Sequence, residues 1–502
     1  MGTYNYNHRL NINEMNEFVM ALSEYITALD KDRLMKYLRH WNFYEGYHWE
    51  DIQALDKPQI TKNYCRPFVD KFVAFEFGKG FNIKVEHEDD GDPDTPSPVT
   101  NFLNEIWEEH NNKMQLCVEL GQTKSVTGKG WVQVKYESPE ELKDPFGEYE
   151  NGRIRLINMS PNSIYPEYDP HDKEKLVKLT VMYPIKEVDK SPILRKPVLA
   201  TKVYKMVWTD EEVMYQIGKE EPKVMPNPYG IIPFVEFTNY PLANKTEGIS
   251  DLDDIIPLNV ELNLKNSDIS EIIDYHASPV TLVYGANVGS LERGANKMWG
   301  GLPKDAKVEN LNMNTDLGAS LGYTNETKHS IHEIGCVPES ALGNNQSISN
   351  TSGVALQIVH MPLIERTRVK RISTITGLQK INKLIMLIGL QQGFITVPEG
   401  VTPKEFYKTD ITFPDALPKD DLIELQKIES EMRLGLESRH GAMDRMGKNV
   451  KQVLSRIDED FEDNAQFYGH QPKEINSGMM NGETQQELVN KEINGQNVSS
   501  TK

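Results

Sequence analysis

Cysteine is scarce in this sequence, with only Cys65, Cys117 and Cys336 among 502 residues. Their odd number, their wide spacing and the lack of a Cys-x-x-Cys pair argue against a disulfide framework and against a thiolate metal site. We therefore expect the chain to fold in a reducing cytoplasm. Its length exceeds the size at which a single core keeps growing, so two or more core regions are expected.

Long apolar runs are also missing. The longest, around residues 381–390, falls short of the roughly 20 residues that span a bilayer, and the first residues contain no apolar signal core. We therefore expect no part of this sequence to enter a membrane. No repeat with a period of about 20–50 residues is visible. A single chain is therefore not expected to close a ring, and a channel would have to form from several copies around an axis.

Two kinds of apolar spacing divide the sequence. Apolar and polar residues alternate between about residues 130 and 237, with turn residues between the runs, which predicts a mostly antiparallel sheet. Elsewhere the apolar residues recur at helical spacing. Helices are expected over residues 12–42, 66–77, 99–129, 249–277, 316–336, 418–434 and 450–460, and short strands over 280–284, 306–311 and 410–413. The fold class is therefore α+β.

Acidic residues outnumber basic ones, and the formal net charge is −20. The helix predicted over residues 249–277 shares this bias, because Lys265 is the one lysine or arginine among many carboxylates. These carboxylates are Asp251, Asp253, Asp254, Glu261, Asp268, Glu271 and Asp274. A DNA duplex is held by lysine and arginine, so a surface lined by carboxylates lets it pass without gripping it. The alternatives are a solvated outer face, or salt bridges to a neighbouring subunit through residues such as Lys328.

A long helix is expected from residue 353 onward, because apolar residues continue at helical spacing to Leu384. Pro362 falls within this pattern and predicts a kink rather than a stop. The helix carries a basic cluster, Arg366, Arg368, Lys370 and Arg371. Two roles are open for this cluster, proximity to DNA or ion pairs with a neighbouring subunit, and subunit pairing is favoured.

The segment before this helix, residues 338–353, contains Glu339 but no lysine or arginine. Small polar residues and glycine give it flexibility and hydrogen-bonding reach toward phosphates without a strong electrostatic hold. The residues expected to touch DNA lightly are Asn344, Asn345, Gln346, Ser347, Ser349 and Asn350. An ordinary surface connection is the alternative.

Motifs for nucleotide or metal chemistry are weak. Residues 121–130 are similar to a phosphate-binding loop, but the glycine spacing is wrong and Gly130 stands where a magnesium-binding Ser or Thr is required. His329, His332 and Glu333 lack the His-Glu-x-x-His spacing that places two imidazoles on one metal. We therefore expect no catalytic residue, no metal and no cofactor, and so no enzyme.

Several segments occur in a specific order, namely residues 42–48 (NFYEGYH), 60–70 (ITKNYCRPFVD), 128–134 (GKGWVQV) and 230–239 (GIIPFVEFTN). They resemble, in that order, segments of tailed-bacteriophage portal proteins. Residues 249–277 followed by 278–285 (SPVTLVYG) resemble the stem helix of that family entering its clip, and residues 352–356 (SGVAL) resemble the start of its long wing helix. The resemblance spans about residues 40–460.

The resemblance implies a dodecameric ring at one capsid vertex of the virion, assembled in the host cytoplasm, through which double-stranded DNA is packaged and later ejected. The implied partners are further copies of the chain, the packaging terminase, the head-to-tail adaptor, and the major capsid and scaffolding proteins, with no membrane. The implied regions are a wing (1–248), a stem helix (249–277), a clip (278–315), a second stem helix (316–337), a tunnel loop (338–353), a long kinked wing helix with its connection (354–409), a mainly helical crown (410–463) and a flexible tail (464–502).

Under this interpretation Asp251, Asp254, Glu261, Asp268, Glu271 and Asp274 line the channel. The clip contributes Arg293, Lys297, Trp299 and Lys304. The alternative that stays open is a multi-subunit, nuclease-like phage enzyme with a site between subunits. A capsid scaffold or adaptor predicts a shorter chain without the clip-like insert.

Overall fold

The structure, a computed structural model, describes residues 12–49, 58–85, 98–142, 147–189, 198–243, 247–277, 281–284, 303–310, 317–343, 357–416, 421–446 and 453–457. The chain divides into two units, residues 1–418 and 419–502. No helix in these ranges is long and apolar enough to cross a membrane.

The first unit mixes helices with antiparallel sheets, which is consistent with the α+β class. Its helices are α1 (Ile12–Leu22), α2 (Ala28–Glu45), α3 (Cys65–Phe77), α4 (Pro98–Glu105), α5 (Lys113–Thr127), α6 (Pro139–Leu142), α7 (Ile255–Ala277), α8 (Leu317–Ile334), α9 (Met361–Gln392) and α10 (Pro403–Phe406). Its strands are β1 (Asn82–Val85), β2 (Lys129–Glu137), β3 (Arg153–Met159), β4 (Ile164–Asp169), β5 (Asp172–Asp189), β6 (Val198–Trp208), β7 (Glu212–Ile217), β8 (Lys223–Pro226), β9 (Phe234–Thr238), β10 (Thr281–Tyr284), β11 (Lys307–Asn310) and β12 (Thr409–Thr412).

All the strand pairs in the described ranges are antiparallel, as the alternation predicts. The largest sheet has five strands in the order β4-β5-β6-β7-β8, and a three-stranded sheet has the order β3-β2-β9. Two further pairs, β1 with β12 and β10 with β11, complete the arrangement. Strand β12 therefore returns the chain to the N-terminal part of the first unit.

Buried apolar residues form several cores, as expected for a chain of this length. The main core joins α9 to the three-stranded sheet, where Phe237, Leu378 and Ile385 are fully buried. A second core gathers α2, α3, the start of α9 and the base of α7, through residues such as Phe72 and Ile255. This second core therefore holds the first residues of helix α7 in place.

Two helix boundaries differ from the sequence prediction for identifiable reasons. The helix predicted over residues 12–42 is two helices, because Thr27 and Asp30 form a capping box that starts α2. Pro362 lies in the first turn of α9, and a turn at His360 separates α9 from helical residues 357–359. A proline, which lacks an N–H, fits the first turn of a helix without losing a hydrogen bond, so the interruption of the helical pattern lies at His360 and the kink stays a prediction.

The second unit contains α11 (Asp421–Arg433) and α12 (Arg439–Arg445) in its described part. Ile428 and Ala442 are its buried apolar residues there. Arg445 bridges Glu431 at 2.6 Å and Glu437 at 3.4 Å. Helix α11 confirms the prediction over residues 418–434, whereas α12 was not predicted.

A substitution at Gly377 tests the close packing of the main core. A Cβ atom at this position of α9 would lie 2.3 Å from Cε1 of the Phe237 ring, which is fully buried. We expect Gly377→Ala to lower the free energy of unfolding by about 1–3 kcal/mol, as overpacking does. Gly322→Ala in α8 is the matched control, since a Cβ there meets nothing within 4 Å. It should stabilise slightly, by about 0.5–1 kcal/mol. Equal effects of the two variants in urea unfolding would contradict the packing described here.

Candidate functional site

Helix α7 carries carboxylates that remain accessible along one face. Glu261 and Asp268 are seven residues apart, nearly two turns at 3.6 residues per turn, and Glu271 follows one turn later. We call these three residues the acidic stripe. Glu261 and Asp268 are partly exposed, and Glu271 is exposed. Lys265 lies within the stripe, 3.9 Å from Glu261 Oε1 and 3.4 Å from Asp268 Oδ2.

Two other predicted channel residues are exposed but lie outside the stripe. Asp254 directly precedes α7. Asp274 lies three residues beyond Glu271, but about 120° around the helix from Asp268. Helix α8 packs beside α7, and its Tyr323 hydroxyl donates to Glu261 Oε1 over 3.3 Å.

Asp251 does not belong with these carboxylates, and its prediction as a channel-lining residue is wrong. Its side chain has no exposed surface and pairs with Lys370, whose Nζ lies 2.6 Å from Oδ2. Arg366 Nη2 lies 3.2 Å from the other carboxylate oxygen, and the Ser125 hydroxyl donates to Oδ2. Burial alone would raise the pKa of Asp251, but Lys370 and Arg366 hold it below its ordinary value.

A second buried ion pair lies beside the first. Lys124 donates from Nζ to Glu76 Oε1, both side chains are fully buried, and Thr374 Oγ1 lies 2.6 Å from the same carboxylate oxygen. Burial lowers the pKa of Lys124, and the attraction of Glu76 opposes that shift. The two pairs together tie α3, α5 and α9 to the segment that begins α7.

Three of the four residues in the predicted basic cluster of the long helix therefore make contacts within one subunit. Lys370 and Arg366 serve Asp251, and Arg371 donates to the Phe75 carbonyl oxygen over 2.8 Å. Lys370 is fully buried, so the prediction that it meets DNA or a neighbouring subunit is wrong, whereas Arg366 and Arg371 are partly exposed and the prediction stays open for them. Arg368 remains at the surface, paired with Glu365 at 3.1 Å.

Asp253 is likewise bound within the chain. Its Oδ1 lies 2.8 Å from Lys36 Nζ and 3.3 Å from His40 Nε2. Burial raises its pKa, but the hydrogen bonds from His40 and Lys36 prevail and lower it to about 2.

Another face of α7 is lined by two buried asparagines and a buried serine. Asn259, Asn263 and Ser267, which we call the polar ladder, recur every four residues and accept hydrogen bonds from alternate backbone N–H groups of the extended segment before α3. The donors are the N–H groups of Tyr64 (3.0 Å), Lys62 (2.9 Å) and Ile60 (3.2 Å) respectively.

The spacing of this ladder has a geometric reason. Four helical residues rise about 6 Å, and two extended residues advance about 6.6 Å. The two repeats match, so each ladder residue meets an equivalent N–H group. The Asn259 amide also donates to the Lys62 carbonyl oxygen over 2.8 Å. Helix α7 is thus held against the extended segment by hydrogen bonds as well as by apolar packing.

His48 extends the ladder by one residue. Because Asn263 accepts from Lys62 through Oδ1, its Nδ2 donates to His48 Nδ1 over 2.7 Å, and His48 Nε2 then donates to the Phe43 carbonyl oxygen over 2.9 Å. The hydrogen bonds therefore assign a neutral imidazole. Burial lowers the pKa of His48, whereas the Phe43 carbonyl and the Asn63 amide oppose that shift.

The remaining predicted residues divide between described and undescribed parts of the chain. Lys328, considered for a bridge between subunits, pairs within the chain with Glu339 at 3.0 Å. Lys304 is exposed just before β11. Outside the described ranges lie Asn344, Asn345, Gln346, Ser347, Ser349, Asn350, Arg293, Lys297 and Trp299.

The polar ladder was not predicted, although the sequence contains a signal for it. Asn259, Asn263 and Ser267 interrupt an apolar helix face at intervals of four, which is the spacing of one face. The partner segment carried no signal of its own, since its bonds go to side chains rather than to a strand.

Lys370 provides a test of the buried charges. Lys370→Met leaves the buried Asp251 carboxylate with Arg366 as its remaining cation, so it should lower the free energy of unfolding by up to about 3–5 kcal/mol. The double variant Asp251→Leu/Lys370→Met should recover only part of this loss, because it removes the buried carboxylate but leaves Arg366 without its ion-pair partner. Arg368→Met, at the exposed pair with Glu365, is the control and should cost less than about 1 kcal/mol. Equal losses for Lys370→Met and Arg368→Met in urea unfolding would contradict the assignment.

His48 predicts a pH dependence of stability. Its folded-state pKa lies below the unfolded value of about 6.5, so its contribution is present above that value and is lost as the pH falls. His48→Phe should cost about 1–3 kcal/mol at pH 8, because the Asn263 amide loses its acceptor. The cost should shrink at pH 5, where the wild-type imidazole is itself penalised. An unchanged cost at both pH values would argue against a buried neutral histidine, and exposed His329→Phe serves as the control.

Comparison with known proteins gives one family. Residues 23–466 match the family described as "Phage portal protein, SPP1 Gp6-like". A comparison with individual proteins of curated function gave no match. The family match covers most of the 502 residues, and it includes α7, α8, α9 and the second unit's described helices. The resemblance expected from the sequence is thereby confirmed, and this chain belongs to the SPP1 Gp6-like family of phage portal proteins.

Proposed function

We propose that copies of this portal protein form a dodecameric ring at the capsid vertex and that the acidic stripe of α7 faces the bore. The family match supports a head-to-tail connector in DNA packaging, with ring oligomers and capsid partners in general. The observation that carries the residue-level proposal is the accessible row Glu261, Asp268 and Glu271, where Lys265 is the sole lysine or arginine of α7.

Electrostatics explains why such a row suits passage of DNA. A duplex carries about one negative charge per 1.7 Å of its axis, and lysine or arginine on a pore wall would bind it. Carboxylates repel phosphates over about 8–10 Å at moderate ionic strength, which is the range of screened interactions. Repeated around a ring, the acidic stripe gives a wall that DNA approaches without adhering. Asp254 and Asp274 are accessible and add to the negative charge of α7, whereas Asp251 contributes nothing to the wall.

The order of elements supports the rest of the assignment. Helix α7, the antiparallel pair β10 and β11, and helix α8 follow one another, and α7 packs against α8. We assign the two helices to the stem and residues 278–315 between them to the clip, which would dock the packaging terminase and later the head-to-tail adaptor. Residues 1–248 and 354–409 form the wing in this proposal, 338–353 the tunnel loop, 410–463 the crown and 464–502 the tail.

Catalysis is not part of this proposal. No group of three or more metal-ligating side chains lies together in the part of the chain that the structure describes. The buried carboxylates Asp251 and Glu76 are neutralised by cations within the fold. No observation favours the nuclease-like alternative, and motion of DNA is assigned to a separate packaging motor.

Charge reversal on the stripe tests the proposal. Asp268→Lys with Glu271→Lys replaces repulsion by attraction, so we expect slower DNA packaging and more DNA retained after ejection. The measurement is the packaging rate and the residual DNA per particle, taken on particles whose rings are intact by electron microscopy.

The control makes the same change in charge away from α7. Glu211→Lys with Glu221→Lys alters two exposed carboxylates in turns of the five-stranded sheet. It should leave packaging and ejection at wild-type levels. If the stripe variant and the control variant behave alike, the acidic stripe does not face the bore.

A further inference from the structure

Large aliphatic side chains are exposed at the start of α9 and just before it. Ile358 is 64% exposed, Val359 47%, Met361 47% and Ile372 63%. They lie on or next to a helix whose other side is buried in two cores. Several exposed aliphatic side chains gathered along one helix favour a site of contact over a solvated face.

The exposed residues of α9 share one face. Met361, Glu365, Arg368 and Ile372 follow one another at intervals of four, three and four residues, which keeps them on one side of the helix. We call this set the α9 ridge. Residues between them, such as Leu363 and Thr367, are buried on the opposite side. The ridge is therefore rigidly presented by a helix that is anchored along its whole length.

Charge on the α9 ridge is balanced. Glu365 and Arg368 pair at 3.1 Å, and their aliphatic stems lie between Met361 and Ile372 in the sequence of the ridge. The ridge thus has no net charge, on a chain whose formal net charge is −20. Two copies of such a chain repel each other in general, and a neutral apolar surface is where they can meet.

The side chains of the α9 ridge favour one kind of binding partner. Aliphatic side chains and an arginine already bound to a glutamate offer little to phosphates, so DNA is a poor partner for the ridge. Another copy of the chain is a good one, because interface cores are apolar and poor in unpaired charge.

We propose that the α9 ridge packs against a second copy of this chain and is one half of the contact between neighbouring subunits. The inference rests on the proposed ring. Copies around an axis meet head to tail, so the ridge of one subunit contacts a different surface of the next. Ile372 and Met361 are its apolar anchors, and the Glu365–Arg368 pair lies between them.

Ile372→Glu tests the proposal. It places an unpaired carboxylate at one of the two apolar anchors of the contact, and we expect the fraction of protein in rings to fall at least about tenfold. The measurement is the ring fraction at fixed concentration, from analytical ultracentrifugation with electron microscopy. Since Ile372 is 63% exposed, thermal unfolding of the single subunit should be unchanged. The matched control is Leu29→Glu on α2, where the leucine is 80% exposed on another surface, and its ring fraction should equal that of the wild type.

A photo-crosslinking residue at position 372 identifies the occupant directly. An adduct of two chains in the wild-type ring supports the proposal and maps the opposing surface. Adducts only within one chain, or only with DNA in filled particles, overturn it. Unchanged rings in Ile372→Glu also overturn it and leave the ring itself intact, whereas failure of the wild-type chain to form rings would instead overturn the proposed function.

Discussion

The placement of helix α7 depends on Asp251, a carboxylate removed from water and held by Lys370 and Arg366. Burying an ion costs several kcal/mol, and the cost is recovered only when its partners lie at hydrogen-bonding distance. The base of α7 therefore keeps its position only while α9 and the Ser125 hydroxyl at the end of α5 are in theirs. The neighbouring pair of Glu76 and Lys124 extends the same requirement to α3. Apolar packing of Leu252 and Ile255 in the second core adds stability, but it does not require a particular orientation of the groups.

Polar residues on α7 and in the turn just before it have three different roles, and burial separates them. Asp251 is a structural charge, the polar ladder supplies neutral hydrogen bonds to an extended segment, and the acidic stripe stays in contact with water. An asparagine suits the ladder because its amide both donates and accepts, as Asn259 does with Tyr64 and Lys62. A carboxylate at that position would have no donor group to offer the Lys62 carbonyl. The same helix can thus be firmly anchored on one side and negatively charged on another.

Local sequence patterns predicted the helices and strands of the fold far better than the burial and pairing of individual charged side chains. Alternation and helical spacing located β2, β3, β5, β6 and β7, the pair β10–β11, and helices α7, α8 and α9, because these patterns are local. The sequence pattern grouped Asp251 with Glu261 and Asp268, since a sequence shows which residues are charged but not which are buried. The partner that buries Asp251 is 119 residues away, and no local pattern announces such a contact. A turn at His360 separates the helix that contains Pro362 from helical residues 357–359, and the polar ladder was missed because its partner segment forms no strand.

Charge creates a conflict that the proposed ring has to resolve. An acidic bore favours passage of DNA, yet every carboxylate that repels phosphate also repels the carboxylates of the next subunit. Neutralising α7 would favour assembly but would lose the repulsive wall. The fold separates the two demands in space, with the acidic stripe on α7 and an apolar, charge-balanced ridge on α9. Because Asp251 ties the base of α7 to Lys370 of α9, the two surfaces are held in a fixed relation within each subunit. A contact made through the ridge would therefore also set the position of the stripe around the axis.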